Sequence, residues 1–166
     1  MIQYQLQGGI QREMSISSLV QRAQGQGGGP APYLAGGGGT TMVGQGQQGI
    51  CNFAAAPHKV IAIPLITCAS VILASTDPNA PAQAVVYHAT SGHIPGGVLA
   101  LLHAAIGAPP LASILAVYAT PKPWDNNYNA DAMKLQAFGV PANQVVYIAQ
   151  IPGSTFGINS HGQVGC

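Results

Sequence analysis

Between Pro78 and Pro121 the chain carries no Asp, Glu, Lys or Arg. A charge-free run of that length must be buried inside a fold, covered by small polar side chains and backbone, or covered by another protein. The whole chain follows the same rule, with 5% charged and 48% hydrophobic residues, where a soluble domain carries about a quarter charged. Its 166 residues suffice for one domain with a proper core. A formal charge of +1 supplies no basic stripe for a phosphate backbone, so no nucleic-acid partner is expected. No membrane span is expected either. Pro109-Pro110 interrupts the apolar run Gly96–Ala119, and the run Val60–Ser75 is short, rich in β-branched residues and carries Pro64.

Periodicity and turn chemistry predict the elements. Val60–Leu65 and Ile66–Ser75 read as one long strand or two, with Pro64 at an edge or bend. The segment "TDPNAP" at 76–81 is a turn, and Ala82–Thr90 is the returning strand. After the loop "SGHIPGG", Val98–Ile106 reads as a helix ended by Gly107 and Pro109. Ile114–Thr120 is a strand, Asn129 caps a helix through Phe138, and Gln144–Ile151 is a further strand. "FGINSHGQVG" at 156–165 reads as a hairpin turning at Ser160–Gly162. About six strands with two or three helices predict an α+β fold, a mostly antiparallel β-sandwich-like core flanked by helices.

Residues 1–50 read differently. Thirteen of the 22 glycines fall between positions 8 and 49, among many glutamines, so this part is expected to be an irregular leader with a short helix near Ser15–Arg22. A single catalytic-type domain is expected over 51–166. The opening "MIQYQLQGGI" has neither a basic start nor a continuous apolar core, which argues against the general secretory route but leaves both a signal-peptide-independent route and cytoplasmic residence open. Cys51, Cys68 and Cys166 are an odd number at wide spacing, which makes neither a disulfide framework nor a paired metal motif.

The chemistry centres on "TCASVILASTDPNAPAQAVVYHAT". Alternation places Cys68 with Ser70 on one strand face, and His88 with Thr90 on a face of the next strand. A hairpin symmetric about Pro78 sets residue 68 opposite residue 88, with Cβ atoms about 4.5–5.5 Å apart. A slip of two residues leaves the pair diagonal on one face, and a slip of one separates the faces. An imidazolium beside a thiol favours the thiolate, which can attack an amide or ester carbonyl while the histidine protonates the leaving amine. The opposing reading is a buried free cysteine and a hydrogen-bonded core histidine.

The order "CASVIL", "STDP", "VVYH" resembles the cysteine glutamine deamidases: the chemotaxis-receptor deamidases, the cytotoxic necrotizing factors and the Burkholderia lethal factor. That resemblance covers roughly residues 60–93. It implies a β-sandwich-like core with helices, Cys68 as nucleophile, His88 as general base, and a protein glutamine as substrate, in the setting of a bacterial toxin or effector acting in a target cell. Several members carry a threonine six residues before the cysteine, where this chain has Ala62. In the necrotizing factors a backbone carbonyl serves that role, and Thr90 and Asn52 are the side-chain alternatives here.

Other candidates are less developed. Cys51, His58, His88 and His93 could make a metal set but lack a carboxylate to complete or orient it, so no metal and no cofactor are expected. His103 falls in an apolar helix, His161 in a turn, and Trp124 in a polar loop. Asp77, Asp125 and Asp131 are too scattered for a paired-carboxylate hydrolase. Two further functions compete with deamidation. One is a non-enzymatic binding or assembly module with an oligomer interface and the leader as tether. The other keeps the Cys–His pair in a protease, amidase or transglutaminase-like acyl transferase.

Overall fold

The computed structural model describes residues 2–5, 14–15, 39–52, 58–75, 83–121, 126–149, 152–160 and 162–165. Their strands are β1 (Ile2–Gln5), β2 (Met14–Ser15), β3 (Gly39–Val43), β4 (Gln48–Asn52), β5 (His58–Leu65), β6 (Ala69–Ser75), β7 (Gln83–Ala89), β8 (Ile114–Thr120), β9 (Val145–Ala149), β10 (Ser154–Asn159) and β11 (Gln163–Gly165). Two helices join them, α1 (Val98–Ala105) and α2 (Asn126–Phe138). A six-stranded sheet runs β1-β9-β8-β6-β7-β4, and a five-stranded sheet runs β2-β11-β10-β5-β3. Three of the described pairings, β1–β9, β3–β5 and β8–β9, are parallel, and the rest are antiparallel. The fold is α+β with a sheet-rich, mostly antiparallel sandwich core, as its sequence predicts.

Period-two alternation builds two cores from one sheet. One set of residues from the six-stranded sheet, including Ile72, Ala84, Val86, Val117 and Val146, meets Val60, Ala62, Phe156 and Ile158 of the other sheet. The alternate set, including Val71, Leu73, Val85, Ala116, Tyr118 and Tyr147, packs beneath Leu99 and Leu102 of α1 and Ala132 and Leu135 of α2. Being covered on both faces, β6 and β8 are buried at every position. That burial is why they read as unbroken apolar runs.

Several boundaries differ from the sequence reading. Val60–Ser75 is two strands in different sheets, so the chain crosses from one sheet to the other through residues 66–68. Four residues of β5, Ala62 to Leu65, span three of β10, Phe156 to Ser154, and this bulge contains Pro64, which has no N–H to donate to a ladder. Helix α2 begins at Asn126 rather than after Asn129, so Asn129 is interior. Residues 39–50, expected in the leader, form β3, a tight turn and most of β4. Apolar Val43 and Cys51 anchor these strands in the sandwich, and Gly49 sits where a Cβ would lie 2.7 Å from Val60 Cγ1. The proposed helix of 15–22 and the turn of 76–81 lie, apart from Ser15 in β2, outside the described residues. Among the described residues no helix is long and apolar enough to cross a membrane.

Candidate functional site

Cys68 immediately precedes β6, and His88 is the penultimate residue of β7. The β6–β7 ladder pairs Ser70 with His88 and Ala69 with Ala89. The hairpin is therefore shifted by two residues from the symmetric arrangement about Pro78. Ser70, not Cys68, lies directly across from His88, and continuing the ladder sets Cys68 opposite Thr90. An even shift keeps every side chain on its own face, and the pairing of Ile72 with Val86 within the sandwich core requires that parity. Cys68 and His88 therefore share the inter-sheet face as diagonal neighbours, a separation of about 7–8 Å between backbones that long side chains can bridge.

His88 is fully buried and held by three contacts to residues 43–47. Its backbone N–H donates to the Gln47 carbonyl at 3.0 Å, and its carbonyl accepts from the Gly46 N–H at 2.8 Å. Its ring Nδ1 lies 3.0 Å from the Val43 carbonyl oxygen. A carbonyl can only accept, so Nδ1 carries the proton and Nε2 presents a lone pair. That Nε2 is buried and has no hydrogen-bond partner among the described residues. Most buried polar atoms are paired, and the Tyr147 hydroxyl and Ser154 Oγ share this unpartnered state with Nε2, which makes no hydrogen bond to the Cys68 thiol.

The surroundings are small and apolar. Cys68 is 1% exposed and unbonded to any other cysteine. The hydroxyl of Ser70 donates to the Phe156 carbonyl at 3.1 Å, tying the two sheets together beside the pair. Gly46, at φ +72°, makes the turn that brings Val43 and Gln47 to His88, and a Cβ there would lie 4.0 Å from Thr90 Oγ1. Ile66 and Thr67 are exposed just before the cysteine.

The other candidates disperse. Thr90 is exposed, and Asn52 pairs with Gln83 at the far end of β7, so neither side chain orients His88. The Val43 carbonyl holds that position. Sequence reasoning missed it because a backbone group carries no residue-type signal, although Gly46 between two short β-type runs marks the turn. Cys51 lies opposite Ala84, where burial pushes its thiol up to about 12, so it is an inert neutral thiol. Among the described residues no three His, Cys, Asp or Glu side chains converge as a metal set. His103 donates from Nε2 to the Pro109 carbonyl at 2.6 Å, a structural contact at the end of α1. Trp124, His161, Asp77, Asp125 and Cys166 lie outside the described residues. No protein-family model and no curated protein matches this chain.

Proposed function

We propose that this protein is a cysteine hydrolase that deamidates a glutamine side chain of a protein substrate, with Cys68 as nucleophile and His88 as base. The observation that carries the reading is the Nδ1–H bond from His88 to the Val43 carbonyl, which fixes the tautomer and leaves Nε2 unpartnered on a residue of the face shared with Cys68. A backbone carbonyl in this third position is the arrangement that the resemblance to the necrotizing factors leads one to expect. In this mechanism Nε2 takes the thiol proton as sulfur attacks the carboxamide carbon. The imidazolium then protonates the departing nitrogen, ammonia leaves, and a thioester remains. Water attacks that thioester with Nε2 again accepting a proton, and glutamate is released. Backbone N–H groups beside Cys68 are the candidates for stabilising the oxyanion. Apolar walls suit an uncharged carboxamide better than a charged group, which would be costly to bury unpaired. A toxin or effector exported without a signal peptide is the biological setting that the resemblance implies.

The test is the alkylation rate of each cysteine by iodoacetamide at mildly acidic pH, read by peptide mass spectrometry in wild type and His88→Ala. Cys68 is expected to react faster than Cys51 and to slow about ten- to a hundredfold without His88. Ammonia release from casein without chain cleavage, lost in a folded Cys68→Ala variant, then separates deamidation from proteolysis. If Cys68 ignores His88 and no ammonia forms, the pair is core and the binding-module reading takes its place.

A further inference from the structure

The chain has nine charged residues, and the described ones are Lys59, Asp131 and Lys134. Two of these three meet at one point, and one of them, Asp131, is completely buried. A carboxylate is not buried without compensation, so what surrounds it matters. Asp131 Oδ1 accepts from the Ile94 backbone N–H at 2.8 Å and from Lys134 Nζ at 3.2 Å, while Oδ2 accepts from the Tyr118 hydroxyl at 2.8 Å. Lys134 also donates to the Ile94 carbonyl at 2.6 Å and to His93 Nδ1 at 3.2 Å. One turn of α2 earlier, Asn127 Nδ2 donates to the Ser91 carbonyl at 3.1 Å. Asn127, Asp131 and Lys134 stand at i, i+4 and i+7, one face of α2, and all three grip the segment Ser91–Ile94.

That segment is the continuation of the strand that carries His88. It is also left-handed at two successive residues, freely at Gly92 (φ +63°) but at a steric cost at Ser91 (φ +55°). A non-glycine residue in the left-handed region persists only where its surroundings hold it, and such sites cluster near chemistry. The segment also borders the nucleophile. Thr90 and Cys68 each lie one residue beyond the last ladder pair, Ala89 with Ala69, and a Cβ at Gly92 would lie 3.4 Å from the carbonyl oxygen of Thr67. The Tyr118 hydroxyl, whose single proton goes to Asp131, also lies 3.3 Å from the Gly92 carbonyl.

We infer that Asn127, Asp131 and Lys134 are positioning residues that hold the Thr90–Ile94 turn against Thr67, and thereby set the wall and alignment of the Cys68–His88 pair. This inference rests on the deamidase-type reading of that pair. None of the three contacts the reacting atoms. Their effect runs through the backbone that connects His88 to Ile94.

The experiment compares wild type, Asp131→Ala, Asp131→Asn, Lys134→Met and His88→Ala in full-length protein. It reads hydrogen exchange at the Ile94 amide and the pH profiles of iodoacetamide labelling at Cys68 and Cys51. Asp131→Ala is expected to speed Ile94 exchange by roughly tenfold or more. It should also flatten the His88-dependent part of the Cys68 profile while leaving Cys51 unchanged. Asp131→Asn, which keeps an acceptor for the Ile94 N–H, should recover part of that profile. Lys134→Met, at a part-exposed position, supplies the same comparison if Asp131→Ala does not fold. An unchanged Cys68 profile in the clamp variants overturns the inference, as does parallel acceleration at Cys68 and Cys51, which reports general loosening. If His88→Ala leaves wild-type Cys68 labelling unchanged, the deamidase reading fails by itself, and the Ile94 exchange rate shows separately whether α2 holds the turn.

Discussion

The two faces of the six-stranded sheet bury polar groups in opposite ways. On the helix face the carboxylate of Asp131 has a donor for each oxygen, and Tyr118 spans from it to Gly92. Edge-on and tilted contacts among Tyr118, Tyr128 and Tyr147 pack around it. On the sandwich face His88 has one nitrogen satisfied and the other without a partner among the described residues. A satisfied buried network rigidifies and specifies packing, whereas an orphaned buried lone pair costs stability and calls for another explanation. The difference separates the part of the molecule that supports from the part proposed to act. The Tyr147 hydroxyl is the exception on the helix face, buried without a partner among the described residues, and burial with the nearby Tyr128 and Asp131 raises its pKa.

That contrast can be broken by three measurements of stability. The largest effect is expected from Tyr118→Phe, which removes the donor to Asp131 and leaves a buried carboxylate oxygen short of a partner, at a cost of about 1–3 kcal/mol in chemical denaturation. A smaller and gradual loss should appear at alkaline pH. Burial raises Tyr147, Tyr87 and Cys51, so the folded chain keeps protons that the unfolded chain releases. Their stabilising contribution is complete below the unfolded values of 9.0 for the thiol and 10.0 for the tyrosines, and declines as pH rises, through about 12 for Cys51. Denaturation midpoints measured from pH 8 to pH 11 should therefore fall (on the order of one proton per group). The smallest effect is expected from His88→Leu, which loses the bond to Val43 but also removes the orphaned Nε2, so that stability changes by less than about 1 kcal/mol. A loss larger than that of Tyr118→Phe would make His88 a structural residue and erase the distinction between the faces.

Much of the fold was legible because local patterns and tertiary demands agree. Ile114–Thr120 alternates between the two cores and is a strand at the bounds read from the sequence. Val98–Ala105 is helical as its apolar run and following Gly107 indicate. What was not legible depended on partners distant in sequence. Residues 39–50 look too poor in apolar groups to order themselves, and β3 and β4 exist because Val60 and Ala84–Tyr87 offer ready edges. Asn129 had a capping residue's chemistry, but α2 starts a turn earlier, where Asn127 can reach Ser91.

The sequence by itself indicated that Cys68 and His88 lie on adjacent antiparallel strands, and the register that puts them on one face was settled by the tertiary structure. The sequence also determined that a core would form over the charge-free stretch, because hydrophobic burial is set by residue type and period. Only the tertiary structure decided the two-residue shift that places Ser70 opposite His88. Only it brought the Val43 carbonyl to Nδ1 and the face of α2 to the turn after His88. Those contacts are made by backbone groups, or by polar side chains 37 and 45 residues away along the chain from their partners. Hydrogen bonds of that kind depend on where strands and helices pack, and residue type alone does not encode it.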